Sequence, residues 1–181
     1  TGLVPGAAYW AELRADTGAG LGPAARGTAQ LFIGPPPRPA AHATPQEVRR
    51  SSSTVTVRFR ADYFSPANGN VTAYTLVLVE EARKDTPLPA RLPSWRDVHM
   101  LDAWPPYQVT EPYYPFHSSP VEEFTIGSER CDAGSRAYCN GPLKPGTKYF
   151  VKLRAFTAPD NFNMCLNDFF MKWSFHWIKL T

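Results

Sequence analysis

Apolar and polar residues alternate along several short stretches of the chain, and a period of two marks a strand with one buried face. Thr54-Val55-Thr56-Val57-Arg58-Phe59-Arg60 sets its valines and Phe59 against polar partners, and Ala73-Tyr74-Thr75-Leu76-Val77-Leu78-Val79-Glu80 is the next strong strand. Between them Ser65-Pro66-Ala67-Asn68-Gly69-Asn70 has the composition of a turn. Further on, Tyr149, Val151, Leu153 and Ala155 point one way while Lys148, Lys152 and Arg154 point the other, a half-buried strand. Near the start, Thr28-Ala29-Gln30-Leu31-Phe32-Ile33 is a shorter strand.

One strand pattern occurs twice. Leu3-Val4-Pro5-Gly6-Ala7-Ala8-Tyr9 and the residues to Thr17 align without a gap on Leu143-Lys144-Pro145-Gly146-Thr147-Lys148-Tyr149 and the residues to Thr157. Pro-Gly makes a tight turn, and leucine, Pro-Gly and tyrosine at this spacing suit a tyrosine corner, in which the hydroxyls of Tyr9 and Tyr149 bond back to nearby backbone. Repetition makes a coincidental hairpin motif the weaker explanation.

Composition narrows the classes. The 181 residues include 19 prolines against 12 glycines, which disfavours long helices. Basic and acidic residues, 19 and 16, give a formal charge of +3 and are spread along the chain, so nucleic acid is not an expected partner. No apolar stretch is long enough to cross a bilayer, and Thr1-Gly2-Leu3 is not a leader sequence, so the piece is expected to be internal to a longer chain. Cys131 and Cys139 flank a Gly-Ser turn and form either a local disulfide or two free thiols, while Cys165 stands alone. Asn70-Val71-Thr72 is an N-glycosylation acceptor triplet on the predicted loop, and like the disulfide it points to an extracellular compartment.

The repeated Leu-x-Pro-Gly-x-x-Tyr strand resembles the penultimate strand of the fibronectin type III family, which implies a seven-stranded antiparallel sandwich. The expected fold is therefore all-β: a fibronectin type III-like sandwich over 39–158 with a long insertion near 81–127, preceded at 1–34 by the last two strands of another module. Gly34-Pro35-Pro36-Pro37-Arg38-Pro39 is the stiff junction. The Ala73-Tyr74 strand, Trp95, Trp104-Pro105-Pro106-Tyr107, Phe124-Thr125-Ile126-Gly127 and the run from Tyr138-Cys139-Asn140-Gly141-Pro142-Leu143 to Arg154-Ala155-Phe156-Thr157 resemble the membrane-proximal ectodomain of receptor-type protein tyrosine phosphatases, of the vascular-endothelial, stomach-cancer-associated and osteotesticular kind. This resemblance covers about 50–158. It implies a non-catalytic, extracellular, ligand-facing segment. The parent receptor would dephosphorylate phosphotyrosine through an intracellular domain absent here, and would meet the membrane only through its own spanning segment. The tail over 159–181 departs from the family in its Asn, Phe and Trp content, as an alternative or mispredicted exon would. Trp173, Phe175 and Trp177 alternate and suit a surrogate closing strand, and Phe169-Phe170-Met171 suit a membrane surface.

Within the insertion, Trp95, Trp104, Tyr107, Tyr113, Tyr114 and Phe116 form either a recognition surface for a protein ligand or neighbouring ectodomain, or a flap over the module's own core. Catalytic chemistry finds little support. A tyrosine phosphatase needs a low-pKa cysteine in an amide cradle ending in arginine, but Cys131-Asp132-Ala133-Gly134-Ser135-Arg136 is one residue short and Arg130 replaces the expected histidine. His42, His99, His117 and His176 have no metal-ligand spacing, so no cofactor or metal is expected. A secreted, decoy-like binding protein is the alternative from another class, and a hydrolase using insertion carboxylates such as Asp97, Asp102 or Glu122 is the third.

Overall fold

The computed structural model describes residues 2–37, 39, 43–89, 91–132, 134, 137–157 and, for the backbone, 175–179. Strand β1 (Ala8–Leu13) pairs antiparallel with β4 (Ala25–Gln30), and the short β2 (Asp16–Thr17) and β3 (Gly20–Leu21) pair at the far end of this hairpin. Pro5-Gly6 starts it: Ala7 N–H donates to Val4 O at 3.2 Å, and Gly6 takes the positive φ of 79° that the second central residue of a type II turn requires. Nearly every residue of β1 and β4 is solvent-exposed, so the hairpin has no core of its own.

The remaining strands build a sandwich. In chain order they are β5 (Gln46–Arg50), β6 (Val55–Arg60), β7 (Ala73–Glu80), the single-turn helix α1 (Trp95–Val98), β8 (Tyr107–Gln108), β9 (Val121–Ile126), β10 (Lys148–Phe156) and β11 (Phe175–Lys179). One sheet has the order β5-β6-β9 and the other β11-β10-β7-β8, with every neighbouring pair antiparallel. Alternation dictates the core. Val55, Val57, Phe59 and Ile126 from the first sheet meet Tyr74, Leu76, Leu78, Tyr149, Val151, Leu153 and Ala155 from the second, all buried in one cluster. Each fully buried aliphatic side chain there contributes roughly 1.5–3 kcal/mol of transfer free energy.

Three expectations change. The face of β10 expected to be polar and solvated is buried as well: Lys152 and Arg154 are 4% and 7% exposed, and Phe150 packs with Val77, Val79 and Leu92, with Leu88 against them. Leu88 and Leu92 come from the segment after β7 and supply an outer layer that alternation within β10 does not reveal. Burial lowers the Lys152 pKa. Second, the stretch expected as insertion contains β8 and β9, and β9 is an integral partner of β6 with Val57 opposite Phe124. Between β7 and β9 the residues outside these strands are 81–106 and 109–120. Third, the early strand predicted over 28–33 begins and ends sooner, at Ala25–Gln30.

The backbone of 175–179 supplies a closing strand, with Val151 opposite His176. Phe169-Phe170-Met171, Trp173, His42 and Arg136 lie outside the described residues.

Candidate recognition surface

The segment between β7 and β9 is held by a few directional contacts. Ser94 caps α1: its backbone N–H and its hydroxyl donate to Asp97 Oδ2 at 2.7 and 2.8 Å, a capping box. These bonds, the backbone one first, hold the Asp97 carboxyl below its usual range. The Trp95 ring stacks on His99 at 4.2 Å and its Nε1 donates to Pro142 O at 2.9 Å. Gly141 lies under that ring, where a Cβ would come within 2.3 Å of it, so only glycine permits the approach.

Arg96 donates to Asp132 O, inside the loop closed by a Cys131–Cys139 disulfide with a Cα–Cα distance of 5.8 Å. Asn140 fastens that loop to the end of β9. Its Oδ1 accepts from Gly127 N–H at 2.7 Å and its Nδ2 donates to Thr125 O at 2.8 Å.

A second anchor is Lys144. Its ammonium pairs with the buried Glu80 carboxylate, donates to Asp102 O at 2.7 Å and lies 4.9 Å from the Trp104 ring centre. Trp104 in turn packs edge-on to Tyr107 at 5.6 Å. Burial pushes the Tyr107 hydroxyl pKa well up, with Tyr149 and Glu80 adding to the shift.

Beyond β8 the chain returns to the sandwich. Tyr74 and Tyr113 exchange backbone hydrogen bonds at 2.7 and 2.9 Å, and Phe116 packs edge-on to Tyr74 at 5.0 Å and Phe59 at 5.8 Å.

These contacts divide the six candidate aromatic residues. Trp104 and Tyr107, each 2% exposed, are core side chains and cannot meet a partner. Trp95 and Phe116 are half-buried against the core, and Tyr113 is half-buried beside Phe124. Tyr114 alone of the six is exposed, at 36%, with its ring against His117. The physical reason is the large apolar area each ring removes from water by folding back, which isolated rings on a flap forgo. Sequence reasoning missed Met100 and Leu101, 83% and 48% exposed in the turn after α1. The signal was present: two large apolar residues directly after a capped helical turn, with no periodic partner.

Asn70 is exposed before β7. The corner tyrosines accept at their hydroxyls, Tyr9 from Val4 N–H at 2.6 Å and Tyr149 from Lys144 N–H at 3.1 Å. A cleft of about 540 Å³ on the outer face of the first sheet is lined in part by Arg58, Arg60 and Glu123. Arg58 already holds Glu123, and Arg60 holds Asp62, so its guanidinium groups are occupied.

A family model described as "TM proximal of protein tyrosine phosphatase, receptor type J" matches residues 59–166. The chain belongs to this family. The membrane-proximal region of receptor-type phosphatases is a non-catalytic ectodomain region, and the match runs from the last two residues of β6 through β7, α1, β8, β9, the disulfide loop and β10. Family membership points to an extracellular placement, where a cystine persists. In the structure the Cys131 sulfur is consumed in the disulfide and presents no thiolate. No helix among the described residues is long and apolar enough to cross a membrane.

Proposed function

We propose that this chain is a non-catalytic spacer and ligand-facing segment of a receptor-type protein tyrosine phosphatase, next to the membrane on the extracellular side. Phosphotyrosine hydrolysis belongs to a separate intracellular domain of the parent receptor. The observation that carries this reading is the family match over residues 59–166. The hairpin over 1–34 corresponds to the last strands of a preceding fibronectin type III-like module, which its repeated tyrosine corner supports.

Contact with a protein ligand or a neighbouring ectodomain falls on the exposed turn of Met100 and Leu101, held in place by α1 and Lys144. Because the backbone of the turn is already held, binding there orders side chains only and not the chain itself. The test is binding of the whole secreted chain to cell surfaces, compared with Met100→Asp and Leu101→Asp. The expected result is saturable binding weakened at least tenfold in both variants with the fold unchanged by circular dichroism. Equal binding by all three proteins, or turnover of a phosphotyrosine substrate by the chain itself, contradicts the reading.

A further inference from the structure

We propose that Asn70 carries an N-linked oligosaccharide, planted beside the joint between the N-terminal hairpin and the sandwich. The inference rests on the extracellular reading above. Asn70-Val71-Thr72 is the one Asn-x-Ser/Thr triplet in the sequence.

Acceptor and neighbour are placed differently. Asn70 is exposed, just beyond the turn Pro66–Asn68, whereas Thr72 is fixed at the start of the sheet: its backbone N–H donates to Phe156 O at 2.7 Å and its hydroxyl donates to the same oxygen at 3.3 Å. A sugar on Asn70 is therefore left in solvent by the folded chain and displaces no packed group. In the transfer, the Asn70 carboxamide nitrogen attacks the anomeric carbon of a lipid-pyrophosphate-linked oligosaccharide. The N–C bond forms, the carbon–oxygen bond to pyrophosphate breaks with its electron pair leaving on the lipid pyrophosphate, and the nitrogen gives up one proton.

The residues just before Asn70 make the joint. Gly34 N–H donates to Asn68 O at 2.9 Å, Asn68 Nδ2 donates to Pro35 O at 2.8 Å, and the Thr157 hydroxyl donates to Gly34 O at 2.6 Å. Ile33 rests on Gly69, where a Cβ would come within 2.7 Å of its Cγ2. At about 3.8 Å of chain per residue, Asn70 stands within roughly 8 Å of these contacts. A hydrated glycan there covers the joint on that side. It stands at the Ala73 end of β7, while Asp102, the residue after Leu101, is tied through Lys144 to Glu80 at the other end of that strand, which is roughly 25 Å long. One end of the sandwich is thus sheathed and the other left open for contact.

The test is the whole chain expressed with a secretory leader in cultured animal cells, recovered from cells and medium together, and weighed before and after enzymatic removal of N-glycans. The expected result is a mass loss for the wild type and for Thr72→Ser, and none for Asn70→Gln or Thr72→Ala. A wild-type mass unchanged by the enzyme overturns the proposal. The same sample weighed with and without reduction separates the two readings: an unmodified Asn70 with the Cys131–Cys139 bridge formed overturns the glycan alone, and an unmodified Asn70 with free thiols overturns the extracellular reading with it.

Discussion

Leu3–Thr17 and Leu143–Thr157 form the same corner in unlike surroundings. Gly6 and Gly146 take φ of 79° and 72°, and each following tyrosine hydroxyl accepts from the backbone N–H five residues earlier. Around Tyr149 a second sheet closes: Leu153 is fully buried and Val151 packs beside it. Around Tyr9 no second sheet closes among the described residues, and the equivalent Leu13 is 75% exposed. The corner is thus a local device, written within seven residues and formed with or without a core. Burial, which carries most of the stabilisation, depends on residues far away in sequence.

Truncating the aligned leucines gives the largest expected effect. Leu153→Ala should cost about 2–5 kcal/mol in urea unfolding of the whole chain, while Leu13→Ala should stay within about 0.5 kcal/mol. Comparable losses at both positions would break the contrast.

Reducing the Cys131–Cys139 bridge, which closes a loop of sequence separation 8, should cost about 2.5 kcal/mol on the chain-entropy account. That loss should appear in the amides of β9 and β10 and leave those of β1 and β4 unchanged.

Gly146→Ala and Gly6→Ala both force a side chain into positive φ at a cost of about 1 kcal/mol. Only the first should lower the midpoint of the main unfolding transition; the second should show as local fraying of the hairpin.

The smallest effect concerns Glu122, opposite Phe59, whose pKa burial raises. The unfolded carboxyl loses its proton at lower pH than the folded one, so stability falls as pH rises from the unfolded pKa near about 4.3 through the raised folded value. Glu122→Gln should therefore gain stability at neutral pH and nothing at low pH. A gain that persists in acid would assign it to packing.

The strands of the sandwich core were legible because alternation in Val55–Arg60 and Lys148–Phe156 reports which side chains face inward. The outer layer on β10 was not, because Leu88 and Leu92 lie in a proline-rich stretch with no period of their own. The same limit explains the aromatic residues. Composition identified Trp104 and Tyr107 as large apolar groups, but their direction is set by Lys144 and Tyr149, which are distant in sequence. Gly141 and Trp95 are a further long-range pair that no local pattern announces.

Native-state amide exchange on the monomeric chain tests the contrast most directly. The account predicts that the amides of Val151 and Leu153 exchange only through global unfolding, while those of Ala11 and Leu13 exchange orders of magnitude faster. Equal, strong protection of both strands in a monomer would contradict it, because the hairpin would then owe its stability to something other than a covering sheet.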